Sequence, residues 1–313
     1  MTIRKRALST TMLTGVFGGL LLAPLAATAS DIYTKAPLGP AQTFQPAVDG
    51  VNWKFGGLGG AFDGQTIAGG TASVSLPLGY AYGLQLDGAA GSFDGRFMGA
   101  TGAHLFWRNP AQALFGVYGS FTHWDKAGGL NAGQVAGEGE LYFGRFTLQG
   151  IAGVEFGNTK SEVVGAFIDT YDIDTRFFDK INLAYYFTDD LKAFVGHRYL
   201  GGRHALALGG EWAFRVNGPT MASLFVEGRV GEDDYKGIWG GLKFYVGQKD
   251  KSLIQRQRQD DPIEWTPETL FSISNSKTTT PVPVPAAAAP LPPPPPPPDG
   301  DGDGCGDCAR LLR

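Results

Sequence analysis

In the stretch GEGELYFGRFTLQGIAGVEFG, residues 137–157, polar and apolar side chains take turns. Glu138, Glu140, Gln149 and Glu155 fall on one face of an extended chain, and Leu141, Phe143, Phe146, Leu148, Ala152, Val154 and Phe156 on the other. A period of two is the signature of a strand with unlike faces. The same alternation runs from residue 51 to 247 and is interrupted at Asp94-Gly95, Asn109-Pro110, Asp189-Asp190 and Asn217-Gly218, which are turn dipeptides. It predicts twelve strands, at 51–62, 67–79, 81–92, 96–108, 113–124, 132–144, 146–157, 175–188, 191–200, 204–216, 221–231 and 235–246. Counts of ten and fourteen are the rivals. Short connections and the lack of a helical period exclude an α/β fold.

Which face is inside follows from side-chain size. In 204–216 the apolar face is Leu206, Leu208, Trp212, Phe214 and Val216, while the other is Ala205, Ala207, Gly209, Glu211, Ala213 and Arg215. The solvated face of a sandwich favours Lys, Thr, Ser and Gln; single charges among Gly and Ala suit a crowded polar interior. The large apolar face then meets lipid, and because backbone in lipid must be paired, the sheet closes. The fold class expected is all-β, a transmembrane antiparallel barrel. Trp53, Trp107, Trp124, Tyr185, Phe187, Tyr199 and Tyr245 stand near strand ends, as in the aromatic girdles of such barrels. An even strand number places both termini in the periplasm and the long connection 158–174 outside.

Composition fits this reading. The chain of 313 residues has 47 glycines and is 12% aromatic, and its net charge of −4 offers no basic footprint for nucleic acid. Arg4, Lys5 and Arg6 precede the apolar run MLTGVFGGLLLAPL and the small residues ATAS, the pattern of a secretory signal peptide over 1–30. Residues 31–50 read as an extended periplasmic segment, 51–247 as the outer-membrane barrel of a Gram-negative bacterium, and 248–313 as a periplasmic, disordered tail. The expected partners are outer-membrane lipid, the machinery that assembles barrels and, through the tail, peptidoglycan or a periplasmic protein.

Alternation puts Asp87, His104, Glu138, Glu140, Glu155, Lys180, Lys192, Arg198, Arg203, Glu211, Arg215, Glu227, Arg229 and Lys243 on the lumen side. Two readings follow. The charges line a constriction that selects small polar solutes, with Glu138, Glu140 and Glu155 as its acids and Lys192, Arg198 and Arg215 as its bases. Alternatively they form a ladder of ion pairs that fills a narrow barrel and satisfies itself. Twelve strands lie between the eight that side chains fill and the sixteen that leave a channel.

Four segments carry a resemblance: YTKAP at Tyr33–Pro37, HLFWRNPAQALFGVYGSFTHWD, AGEGELYFGRFTLQGIAGVEFG, and GQKDKSLIQRQRQDD after the last strand. Together they resemble the Gly-rich, porin-like outer-membrane barrels of alphaproteobacteria over about residues 31–260. The resemblance implies the barrel fold and the outer membrane and brings no catalytic motif. Such barrels usually finish on an aromatic residue near the chain end; here GGLKFYVG is followed by residues 248–313.

Enzymatic and metal chemistry find little footing. His104, His123, His197 and His204 are the four histidines; His104 faces in with no Ser/Asp partner evident beside it, and the barrel has no metal-ligand spacing. No cofactor is expected. In the tail, KDKSLIQRQRQDD is read as one or two helical turns or as solvated chain. TTTPVPVPAAAAPLPPPPPPP favours polyproline II, a semi-rigid spacer. DGDGDGCGDC opens like a calcium loop, but Arg310 stands where the bidentate acid belongs. Cys305 and Cys308 are spaced for a local disulfide.

Overall fold

In the computed structural model, residues 45–233, 235–283 and 294–295 are described. Twelve antiparallel strands close into a barrel: β1 (Asn52–Phe62), β2 (Gln65–Pro77), β3 (Tyr82–Phe93), β4 (Arg96–Asn109), β5 (Ala113–Trp124), β6 (Leu130–Phe143), β7 (Phe146–Gly157), β10 (Arg176–Thr188), β11 (Leu191–Leu200), β12 (Arg203–Asn217), β13 (Thr220–Gly231) and β14 (Lys236–Val246). Each pairs with its neighbours in the chain, and β1 closes on β14 from Trp53 opposite Val246 to Phe62 opposite Gly237. Asp63-Gly64 and Asp94-Gly95 turn the chain with positive φ at both positions, the two-residue hairpin geometry that matches strand twist.

The two mouths differ. At the first mouth β1 begins, β14 ends and the turns are short, such as 144–145 and 189–190. At the second, the connection after β7 rises as a hairpin of β8 (Thr159–Val164) and β9 (Phe167–Asp172).

The outer wall is apolar. Phe115, Val117 and Phe121 on β5, and Leu206, Leu208 and Trp212 on β12, are all about half exposed. A belt of this kind around a closed sheet needs lipid to cover it. Trp53 and Phe187 are exposed, while Trp107, Tyr185 and Tyr199 are half-buried on the same face. Two girdle assignments are corrected: Trp124 and Tyr245 point inward and are buried, at opposite mouths. Trp124 donates its indole N–H to the Phe93 carbonyl at 3.1 Å, and the Tyr245 hydroxyl donates to Glu211 at 2.6 Å.

The chief departure from the sequence reading is the tail. Residues 251–276 lie inside the barrel, as α1 (Leu253–Gln259), a 3-10 turn (Thr266–Glu268) and α2 (Thr269–Asn275). Then β15 (Lys277–Pro281) pairs with β9 at the second mouth. The expectation of a periplasmic tail over 248–313, with both termini on one side, is therefore corrected for the described chain. It starts at the first mouth, where the Ala47 N–H donates to the Tyr80 carbonyl, and leaves at the second. The physical reason is that a polar lumen this wide requires polar contents, and the segment after β14 supplies them.

Candidate functional site: a lumen filled by its own chain

The segment is held rung by rung. At the first mouth Leu253 packs with Tyr186, Ala213, Met221 and Tyr245. The Leu253 and Ile254 amides donate to the side chain of Asp190 and the carbonyl of Asp189. At the start of helix α1 the Ser252 backbone N–H donates to the Gln255 side chain at 3.0 Å, one half of a capping box. One turn on, Gln257 accepts from the Tyr186 hydroxyl at 2.6 Å and the Lys192 ammonium at 2.7 Å, and donates to Glu211 at 3.1 Å.

The chain then straightens. Lys54 donates to the Pro262 carbonyl at 3.2 Å, and Lys180 to the Trp265 carbonyl at 3.4 Å. The Thr266 hydroxyl donates to Asp87 at 3.2 Å. Gly102 on β4 makes room for this turn, since a Cβ there would overlap the Thr266 hydroxyl. Glu268 meets Arg229 at 2.8 Å and Arg198 at 3.4 Å. Beyond it, Phe271 stacks on Phe62 at 4.3 Å and lies 4.8 Å from Trp239. It belongs to an apolar cluster at the second mouth that includes Phe93, Trp124, Phe178 and Leu270. Asn275 donates to the Leu200 carbonyl, and Arg203 to that of Lys277.

The wall around the segment is electrically divided. On the β3–β7 side stand Asp87, Glu138, Glu140 and Glu155, all buried. His104 sits between two of them, Nε2 2.9 Å from Asp87 and Nδ1 2.7 Å from Glu138. The register puts Gln85 opposite His104 and Glu138 opposite Gly116, so these groups converge from β3, β4 and β6. His104 thus has two carboxylate partners where none was evident in the sequence, and both ring nitrogens are occupied. On the other side Lys180, Lys192, Arg198 and Arg229 are buried. Lys180 and Arg198 are direct cross-strand neighbours. Like charges so placed repel, and Glu268 of the inserted segment supplies a counter-charge that joins Arg198 to Arg229.

The ion pairs differ from the expected ladder. Among the described residues one such pair forms between the acids of β6 and β7 and the bases of β10 and β11, Glu155 with Arg176 at 3.8 Å. Glu138 pairs with His104, Glu140 accepts from the Tyr142 hydroxyl at 2.8 Å, and Glu155 accepts from the Gly201 amide. Lys192 pairs with Glu211 on the adjacent β12 at 3.4 Å, and Lys243 reaches the same carboxylate at 3.7 Å. Glu227 binds Arg229 at 2.6 Å. Backbone register explains this: side chains on adjacent strands come within reach, as Glu155 and Arg176 do across the β7–β10 seam, while charges on more distant strands meet the inserted segment instead.

Two assignments to the lumen lining are corrected. Arg215 lies at the first-mouth rim with an exposed side chain paired to Asp250, because a register shift between Arg215 and Asn217 ends the regular ladder there. Arg203 sits at the second mouth and donates to the carbonyls of Asp233 and Lys277. The sequence reading missed Gln257, Asp261, Glu264, Trp265 and Glu268. Its available signal was the run PIEWTPETLFSI, too rich in large apolar residues for a solvated spacer.

Between the segment and the β1, β11–β14 wall remains a cavity of about 140 Å³, lined by Lys54, Lys243, Glu211, Glu264, Trp265 and Phe225 among others. Among the described residues no group of three or more His, Cys, Asp or Glu is arranged to hold a metal. Cys305, Cys308 and the DGDGDG run lie outside the described residues.

No known protein family matches the chain, and no curated protein does. Several solved structures are similar in fold. An outer membrane channel from Pseudomonas putida F1 has 11% identity and a TM-score of 0.46, covering 67% of this chain and 99% of that one. The KdgM porin has 8% identity and a TM-score of 0.43, covering 62% and 99%. The translocator domain of the autotransporter NalP from Neisseria meningitidis has 13% identity and a TM-score of 0.42, covering 64% and 89%.

Proposed function

We propose that the protein is a porin-like barrel of the Gram-negative outer membrane whose passage is closed by its own C-terminal segment. Small polar solutes pass when that segment is displaced. The observation that carries the reading is the course of residues 251–276 through the lumen, which leaves a cavity of about 140 Å³ beside them. The apolar wall and the signal-like N-terminus support the outer membrane. Short turns at the first mouth and the β8–β9 hairpin at the second support a periplasmic first mouth.

The solute class follows from the lining. With the segment out, an arc in which Lys54, Lys180, Lys192, Arg198, Arg229 and Lys243 outnumber Glu211 and Glu227 faces one in which Asp87, Glu138, Glu140 and Glu155 outnumber His104 and Arg108. Such a transverse field orients dipolar solutes and slows apolar ones.

The test is conductance in a planar bilayer. The full chain is expected to stay closed or to open rarely, while a barrel ending at Gly247 shows discrete steps. A folded, inserted truncated barrel that stays silent defeats the reading. It would favour the second one, a non-conducting barrel that braces the envelope, which the occupied lumen also suits. A tether from that barrel to peptidoglycan or a periplasmic partner is poorly supported, since the described chain leaves by the mouth opposite to the one assigned to the periplasm.

A further inference from the structure

We infer that the outer wall carries a site for a divalent metal of the Zn²⁺ class near the second mouth, with His197 and His204 as its protein ligands and Asp179 as the group that orients them. The two histidines are seven positions apart in the chain, and the turn between β11 and β12 brings them together. Across the ladder Asp179 of β10 faces Tyr199 of β11, and Tyr199 faces His204 of β12. His197 stands two residues before Tyr199 on the same outer face and bridges the other two. The result is a line of contacts over three strands. Asp179 Oδ1 lies 2.7 Å from His197 Nδ1, and His197 Nε2 lies 3.0 Å from His204 Nδ1. The Tyr199 ring stacks on His204 at 4.4 Å and fixes its plane.

Elsewhere at this end the outer wall is apolar, with Phe97, Phe121, Val154, Phe156, Val230 and Ile238 exposed. An ionisable cluster on such a wall is costly to keep and points to a function. Proton positions set the chemistry. A carboxylate only accepts, so His197 holds its proton on Nδ1 and turns the Nε2 lone pair toward His204. A carboxylate behind an imidazole is the arrangement that orients a metal-ligating histidine and raises its basicity. Two nitrogens bound tetrahedrally to one Zn²⁺ at ~2.0–2.1 Å stand about 3.4 Å apart, so the rings need to part by only about 0.4 Å. His197 is 45% exposed, and an open notch bordered by Gly196, Gly231 and Glu232 leaves room for the waters that complete the shell. Charge decides the sign of the ligand. Glu232 accepts from the His204 amide at 3.0 Å, so carboxylates flank the histidines on both sides. Among the described residues that border the notch there is no Lys or Arg, which favours a cation over the phosphate of a lipid headgroup. Imidazole ligands suit Zn²⁺, Cu²⁺ and Ni²⁺. The site is a histidine pair completed by water, not a cage of three protein ligands.

The test is calorimetric titration of the full chain, folded in detergent, with Zn²⁺. Cys305→Ser/Cys308→Ser serves as the parent, because thiols bind zinc themselves. The parent is expected to bind an equivalent of Zn²⁺ that His197→Gln and His204→Phe both lose. His204→Phe keeps a ring against Tyr199 and removes only the nitrogens, and the heat-modifiable gel shift shows that each barrel is folded. Asp179→Asn leaves both ligands in place. It should keep the stoichiometry and weaken binding about 10–100-fold, an effect that a purely structural line of hydrogen bonds would not produce. With Cu²⁺ as a second probe, the parent should show nitrogen hyperfine coupling in its electron paramagnetic resonance spectrum, and the two histidine variants should lose it. The inference is overturned if the parent binds no Zn²⁺, or if the folded His197→Gln and His204→Phe barrels bind it with the parent's stoichiometry and affinity.

Discussion

Glu268 Oε1 lies 2.8 Å from Arg229 Nη2, an ion pair between the inserted segment and the barrel wall. Both side chains are buried, and Arg198 approaches the same carboxylate at 3.4 Å. Removing the Glu268 charge leaves Glu227 alone to answer both Arg229 at 2.6 Å and Arg198 at 3.4 Å, so the cost falls below the ~3–5 kcal/mol of a buried charge left with no partner. Glu268→Gln is therefore expected to loosen the segment without opening the barrel, whose twelve strands do not depend on it. Discrete conductance steps should appear, and added protease should cut within 248–276 while the heat-modifiable gel shift of the barrel is kept. A silent, protease-resistant variant would mean that this pair does not hold the segment.

Phe271 presents a different anchor, an apolar one between Phe62 and Trp239. Phe271→Ala removes a buried ring at a typical cost of about 3–5 kcal/mol. The expected result is release at the second mouth first. Hydrogen exchange at 269–281 should quicken, while exchange at α1, fastened to Asp189 and Asp190, changes little.

Gly102 tests whether the wall was shaped to admit the segment. Gly102→Val places methyl groups where the Thr266 hydroxyl lies, and overpacking of this kind typically costs about 1–3 kcal/mol. The valine suits a strand, so the barrel should fold as before and the 3-10 turn should be expelled. The readout is conductance compared with Glu268→Gln; unchanged closure would show that the turn shifts to accommodate the side chain.

The sequence by itself determined the wall. Leu206, Leu208 and Trp212 alternate with Ala207, Gly209 and Glu211, and a strand has only two faces, so the size of the side chains decides which is outside. Twelve such segments with short turns leave little choice but a closed sheet. Local rules also produced the hairpins at Asp63-Gly64 and Asp94-Gly95. What the sequence did not determine was the content of the lumen. Residues 253–259 and 269–275 make helices of seven residues, too short to show a period or to persist in isolation. They are ordered by partners drawn from strands far away in the chain: Lys54, Asp87, Lys180, Arg198 and Arg229 reach Pro262, Thr266, Trp265 and Glu268 only once the barrel has closed. The pairing of Glu138 with His104 rather than with a base on β10 or β11 has the same origin. Alternation gives a side chain its face, and only the register of a closed barrel gives it a neighbour.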